Sequence, residues 1–381
     1  MLGAATALPS GALAQKKPVA AAKVPARDIY TVNAGFIAAT PLPPREIHIP
    51  DVEGFKVLKG DFHIHTLFSD GDVMPGDRVT EALLNGLDII AITDHIEYRP
   101  YFSHKGKWLL NEKDANNFNL WYEIAAPEAE KKGLLLVRAA EITKSFMPPG
   151  HFNALFTTDN NPIAAAVDDW EKMLEAAAAQ GAFLLWNHPG WEAPTSGGIE
   201  KGAPLRFTPA HQDAHRRGLL HGVEVFNDTE FYPAAADWCN QYNLAFFANS
   251  DIHPSEFNRY GIHNPLRPIT LVLAREKTVE SAKEAFFARR SIAWAANTLW
   301  GPDKWLTSLF NASVEVKALS PGVLELVNKS SLPVTITLEG ATIELPRNVK
   351  RQVLRAGGAT KLGVANWMTG SDKTLEIQLS V

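Results

Sequence analysis

Asp61-Phe62-His63-Ile64-His65-Thr66-Leu67-Phe68-Ser69-Asp70-Gly71-Asp72 carries two histidines two residues apart, then a carboxylate five residues later. In a β-strand, residues i and i+2 point to one face, so His63 and His65 project together from a strand end into a barrel or pocket. Neutral imidazole is the commonest metal ligand, and two imidazoles side by side begin a metal site. Taken alone, the pair reads equally well as polar residues on a half-exposed strand. The rest of the chain decides between the two.

Outward from this stretch, strand-like and helix-like segments alternate. Strands are expected at Phe62 to Leu67, Leu87 to Thr93, Leu134 to Ala140, His151 to Phe156, Ala182 to Trp186, Gly222 to Phe226, Leu244 to Ala248 and Ile269 to Leu273. Helices are expected at Asp77 to Asn85, capped by Asp77 and closed by Gly86, and at Lys113 to Lys132, Ala164 to Gln180, Pro209 to Gly218, Ala234 to Gln241 and Val279 to Arg289. This alternation predicts an α/β barrel, whose chemistry sits at the C-terminal ends of its strands. From Ala312 to Val381 the pattern becomes short alternating runs, which predict a small antiparallel β domain.

The chain has 381 residues, 46% hydrophobic and 21% charged, which suits a large globular domain with an addition. A net charge of −5 gives no basic surface for nucleic acid. Cys239 is the single cysteine, which excludes an intrachain disulfide and a cysteine-rich zinc site. No apolar run is long enough for a stable membrane span. Residues 1–14 are small and apolar, and Ala12-Leu13-Ala14 has the form of a signal-peptidase site without the usual basic n-region. They read as the remnant of a signal peptide, with export to the periplasm or medium. The division expected is therefore 1–14 leader, 15–55 extended tail, 56–305 barrel and 312–381 β domain.

The strand-end residues able to bind metal are His63, His65, Asp70, His95, Glu141, His151, His188, Asp251 and His253, six imidazoles and three carboxylates. One catalytic ion uses about three protein ligands, so nine suit three divalent ions if carboxylates are shared. Clustered ions suit in-line displacement at phosphorus, where they stabilise the attacking and leaving oxygens.

In order and spacing, His63-x-His65, Asp70, Asp94-His95, Glu141, Gly150-His151, Asn187-His188-Pro189 and Asp251-x-His253 resemble the PHP (polymerase and histidinol phosphatase) family. The resemblance covers about residues 56 to 300. It implies a distorted (β/α)7 TIM-like barrel with a trinuclear site holding zinc, manganese or iron. His63, His65, Glu141 and Asp251 would hold one ion. Glu141, His151 and His188 would hold a second, and Asp70, His95 and His253 a third. Thr93-Asp94-His95-Ile96-Glu97-Tyr98-Arg99-Pro100 and Met147-Pro148-Pro149-Gly150-His151-Phe152-Asn153 are similar to the exported Sb-PDE branch, associated with phosphate diesters. The implied activity is hydrolysis of phosphate diesters by a metal-bridging hydroxide, with Glu141 and Asp251 catalytic and Asp251 accepting the proton. Alternatives are a histidinol-phosphatase-like monoesterase and a metal-loaded binding module without catalysis.

Arg99 and Arg259 follow ligand loops and could pair with phosphate, against a reading as surface salt bridges. Trp191 could wall the pocket or simply pack. Asp94 could orient a ligand or cap the next loop. The aromatic residues Tyr98, Tyr101, Phe102, Trp108, Phe146 and Trp191 favour the apolar arms of a diester. The partner expected is a small phosphate ester.

Overall fold

Lys56–Asp61 forms β1 and stops before the two histidines, earlier than the strand expected over Phe62 to Leu67. The reason lies in the backbone donors that follow. Phe62, Ile64 and Thr66 give their N–H groups to the side chains of Asn249, Thr93 and Asp94 at 3.0, 3.1 and 2.7 Å. The chain leaves the ladder because the ends of neighbouring strands take its hydrogen bonds. The computed structural model describes residues 43–100, 114, 116–142, 149–191, 205–261, 266–354 and 360–379. The leader, the tail up to residue 42, Tyr101, Phe102, Trp108 and Phe146 lie outside them. Pro44–Val381 is one compact unit.

The strands next to β1 are β2 (Ile89–Ile92), β3 (Leu135–Ile142), β4 (Phe152–Leu155), β5 (Phe183–Trp186), β6 (Gly222–Asn227) and β8 (Ala245–Asn249), with a short β7 (Glu230–Phe231) hairpinned to β6. β1, β2 and β3 are parallel, as are β5, β6 and β8. β4 runs antiparallel to both β3 and β5. The link from Ile142 to Phe152 is too short for the dozen or more residues a parallel crossover needs. On the other side of β1, β9 (Ile269–Ala274) and β10 (Ser291–Ala295) add antiparallel, followed by β11 (Thr298–Trp300).

The sheet is mixed, and the expected closed seven-unit barrel does not form. Among the described residues no ladder joins β8 to β9, although the two strands are neighbours. The Thr270 hydroxyl occupies that seam, accepting from Ala248 N and donating to Ala248 O, both at 3.0 Å. One face of the sheet still gathers Leu58, Phe62, Ile89, Ala91, Val137, Leu155, Phe183, Leu185 and Phe247 into a buried cluster. Phe286 of the helix Val279–Phe287 plugs it, 4.8 Å from the Phe62 and Phe247 rings. The opposite face buries Ile90, Ile92, Leu136, Leu184 and Val223 in the main core with the outer helices. Alternation along each strand thus feeds two cores.

The helix expected over Ala164 to Gln180 is two, Asn161–Ala165 and Trp170–Ala178. Asp169 restarts the second by accepting from Glu171 N and Lys172 N at 3.1 and 3.3 Å. The helix Pro75–Leu84 begins after Met74, so Asp77 lies in its first turn rather than at its cap. A helix absent from the sequence reading spans Asp303–Ser313 and buries Leu306, Leu309 and Phe310.

Beyond it, β12 (Val314–Ser320), β13 (Val323–Asn328) and β16 (Lys350–Leu354) make a three-stranded antiparallel sheet. β14 (Thr335–Leu338), β15 (Ala341–Glu344), β17 (Lys361–Met368) and β18 (Thr374–Gln378) instead continue the main sheet, through parallel pairing of β17 with β11. No helix of the described residues is long and apolar enough to cross a membrane.

Candidate metal centre

Six loops and strand ends bring the nine expected ligands to one end of the sheet. His63, His65 and Asp70 follow β1, His95 follows β2, Glu141 lies near the end of β3 and His151 precedes β4. His188 follows β5, and Asp251 and His253 follow β8. The loops after β1 and β8 are laced together by Asp251 N to His63 O at 2.9 Å, His65 N to Ile252 O at 3.1 Å and Asp72 N to His253 O at 2.8 Å. Gly71 belongs to this lacing, since a Cβ there would lie 2.6 Å from the carbonyl carbon of His65. Two ligands sit in the left-handed region, His188 at φ 23° and Asp251 at φ 50°. Strain of that kind costs of order 1–3 kcal/mol per residue and persists only where the surroundings hold it.

The donor atoms converge in three overlapping groups. One is His63, His65 and Asp251, the second His63, Glu141 and His188, the third His65, Asp70, His95 and His253. His65 Nε2 is 3.0 Å from Asp251 Oδ1, and His63 Nε2 is 3.2 Å from both Asp251 Oδ1 and Glu141 Oε2. His253 Nε2 and His95 Nε2 reach the two oxygens of Asp70 at 3.3 and 3.5 Å. His151 Nδ1 lies 3.0 Å and His188 Nε2 3.6 Å from Glu141 Oε1. Glu141 also meets His65 and His95, so five imidazoles surround one buried carboxylate. The sequence reading placed His65 with the first ion only, whereas here it faces the first and third groups.

These residues fit divalent cations. Ligands about 2.1 Å from an ion lie about 3.0 Å apart in an octahedron and about 3.4 Å apart in a tetrahedron, the spacings seen here. His65 Nε2, His151 Nε2 and Asp251 Oδ1 are buried without an aligned hydrogen bond among the described residues. Buried polar atoms without partners are rare and costly, and lone pairs aimed at a shared point suit coordination. A nitrogen and oxygen donor set without thiolate does not select one metal.

The charges agree with this. Burial pushes Glu141 up, but His95, His63 and His151 outweigh it and hold the carboxyl well below its usual range. Burial likewise opposes ionisation of Asp251, and His63, His65 and His253 overcome it. Burial works against protonation of His65, yet Asp251 and Glu141 push it up to about 10. Asp251, Glu224 and Glu141 raise His63 against the same opposition. A field that draws protons onto buried rings is one that draws cations.

Glu224 was missed by the sequence reading. It is fully buried on β6, and Oε1 lies 2.9 Å from His63 Nδ1. Oε1 also accepts from Asn249 Nδ2 at 2.9 Å, and Oε2 from His188 N and Asn227 Nδ2 at 2.7 and 2.8 Å. Four nitrogen atoms thus surround the two oxygens of this carboxylate. A proton on His63 Nδ1, held by Glu224, leaves the Nε2 lone pair for the cluster. Arg78 was also missed. Buried, it donates to the carbonyls of His65, Ile252, Pro254 and His253 at 2.9, 3.0, 2.9 and 2.6 Å.

Asp94 holds the loop after β1, accepting from Thr66 N at 2.7 Å and Ser69 Oγ at 2.6 Å. Ser69 Oγ in turn lies 3.3 Å from His65 Nδ1, so this loop contact also bears on a ligand. Asn187 donates to Glu141 Oε1 and Asn153 Oδ1, both at 2.9 Å. Arg99 Nε donates to Phe68 O at 3.0 Å with its guanidinium over the Phe118 ring, and Arg259 pairs with Asp228. Trp191 borders the cluster, its ring 5.0 Å from that of His151.

A cluster of this composition at the strand ends of an α/β sheet offers several groups of residues that could hold a divalent metal ion. A structure from Bacteroides vulgatus, a two-domain protein containing a predicted PHP-like metal-dependent phosphoesterase, is 32% identical. The alignment covers 89% of this chain and 99% of that one, with a TM-score of 0.79. The chain belongs to this family of PHP-like metal-dependent phosphoesterases. No family model matches the sequence. An uncharacterized protein of Methanocaldococcus jannaschii is 43% identical over 44 residues, 12% of this chain, so the match spans a fifth of that curated relative.

Proposed function

We propose that this protein hydrolyses phosphate esters with bound divalent metal, and that its substrates are diesters. The observation that carries the hydrolytic reading is the convergence of eight histidine and carboxylate residues in three overlapping groups, with His151 beside them against Glu141, and buried donor atoms that have no aligned hydrogen bond among the described residues. His63, His65, Glu141, His188, Asp251, His151, Asp70, His95 and His253 would hold three ions. Bound there, divalent ions supply positive charge that polarises a phosphoryl oxygen and lowers the pKa of water.

The chain's own groups do the rest. Asp251 is ionised, reaches the surface and accepts the proton released as water adds to phosphorus. Asn187 and His151 fix the Glu141 carboxylate, and Glu224 fixes the ring of His63. The pairing of Arg259 with Asp228 favours diesters. A monoester dianion gains most from cationic side chains around its free oxygens, and a diester monoanion needs fewer.

The test is a pair of initial rates on an aryl phosphate diester and the matching monoester, using protein loaded with manganese or zinc. The diester should be cleaved at least about tenfold faster, and chelation should abolish turnover. A faster monoester would overturn the diester reading. Loss of turnover on both, with metal bound, would overturn the hydrolytic one.

A further inference from the structure

Trp191 is 44% exposed, an unusual state for the largest apolar side chain, and it stands at the edge of the ligand cluster. Its ring lies 5.0 Å from the His151 ring and 5.8 Å from the His188 ring, tilted by 48° and 55°. Its position is set by the ligand turn itself, because Trp191 N donates to His188 O at 2.9 Å. Gly190 lets the turn pass Tyr232, whose ring carbon would lie 2.6 Å from a Cβ at that position. The backbone of Trp191 is thus hydrogen-bonded to that of the candidate ligand His188. Tyr98, 51% exposed, stands edge-on to His95 with ring centroids 5.9 Å apart. His95 and His151 are 6.0 Å apart, so the two exposed aromatic rings each border one of two neighbouring histidines of the cluster.

We infer that Trp191 forms a stacking subsite for a planar aromatic ester arm of the substrate. The inference rests on the phosphate-ester reading and names the class of arm that the site takes. A phosphate held by the ligand cluster projects each ester arm away from the metal-binding atoms. An arm directed past His151 meets the indole, and an aromatic arm offers it the offset or tilted contact that aromatic rings prefer. Contact there removes from water an apolar surface that the fold leaves exposed. A methyl arm covers little of the indole.

The test is equilibrium binding of phenylphosphonate and methylphosphonate to the metal-loaded protein, for the wild type, Trp191→Ala and Trp191→Phe. Neither probe has a bond to hydrolyse, so binding is read apart from turnover. Wild type should bind phenylphosphonate about tenfold more tightly than methylphosphonate, and Trp191→Ala should remove that preference. Affinity for methylphosphonate should stay within about twofold, and Trp191→Phe should keep most of the aryl preference. An equal loss for both probes would make Trp191 a structural support and overturn the subsite. An unchanged ratio in Trp191→Ala, or none to begin with in the wild type, would overturn it as well. Absence of diester hydrolysis by the wild type is a separate result, and it would overturn the underlying reading instead.

Discussion

At the scale of single residues, the site divides into groups that face the cluster's centre and groups that face its ligands. Glu224 is of the second kind, and its effect should appear in metal affinity before stability. Glu224→Gln keeps the shape but sets an amide, with one donor too many, against His63 Nδ1, His188 N and the Asn227 and Asn249 amides. Affinity for the ions held by His63 should fall about 10- to 100-fold, read by competition with a chelating dye. Unchanged affinity would mean that Glu224 does not orient His63. The nine candidate residues that the structure gathers were legible because coordination demands particular side chains, and these follow apolar strands in order. Glu224 was not legible. Gly222-Val223-Glu224-Val225-Phe226 reads as an ordinary alternating strand, and only the fold shows that its polar face looks into the site.

At the scale of elements, the loops after β1 and β8 depend on the helix Pro75–Leu84. Arg78 from that helix satisfies four loop carbonyls and pairs with Glu81 at 2.7 Å. Arg78→Met should cost about 2–4 kcal/mol in urea unfolding, since it strands buried acceptors and a carboxylate. It should also weaken metal binding through His65 and His253. A stability loss below 1 kcal/mol would show that the clamp is dispensable. Most strands and helices were visible as apolar runs with clear stops. The position of β1 was not, because Asn249, Thr93 and Asp94 intercept the backbone of Phe62 to Thr66, and these partners are distant in sequence. The helix break at Asp169 went unread within an Ala-rich stretch, although an aspartate ahead of Trp170 is a capping signal.

At the scale of the molecule, the C-terminal β region shares both sheet and core with the rest. Trp367 of β17 is fully buried, its strand pairs with β11, and its ring meets Phe310 at 6.0 Å. A chain ending at Asn311 would expose Leu306, Leu309 and Phe310, and it should be insoluble or lack a cooperative melt. A soluble truncation melting like the whole protein would contradict that. A second global property follows from His211, fully buried against Trp186, with burial pushing its pKa down to about 4. Above pH 6.5 it is neutral folded and unfolded and adds nothing. Below that the unfolded chain takes a proton that the folded one refuses, so stability falls by about 1.4 kcal/mol per pH unit until about pH 4. Urea midpoints at pH 7 and 5 check this, and His211→Gln should flatten the slope.

The alternation of elements pointed to an α/β barrel and the family resemblance to a distorted one of seven units, and of these the α/β class holds while the closed barrel does not. The open seam was hidden because it turns on one hydroxyl, Thr270, standing where a ladder would run. The central claim is that the nine-residue cluster is a metal centre built around Glu141. It is tested most directly by elemental analysis of wild type and Glu141→Ala, each stripped with chelator, reloaded and desalted. Wild type should retain more than one divalent ion per chain and Glu141→Ala clearly fewer, both proteins remaining folded by circular dichroism. Equal metal content in the two, or none retained by the wild type, would contradict it.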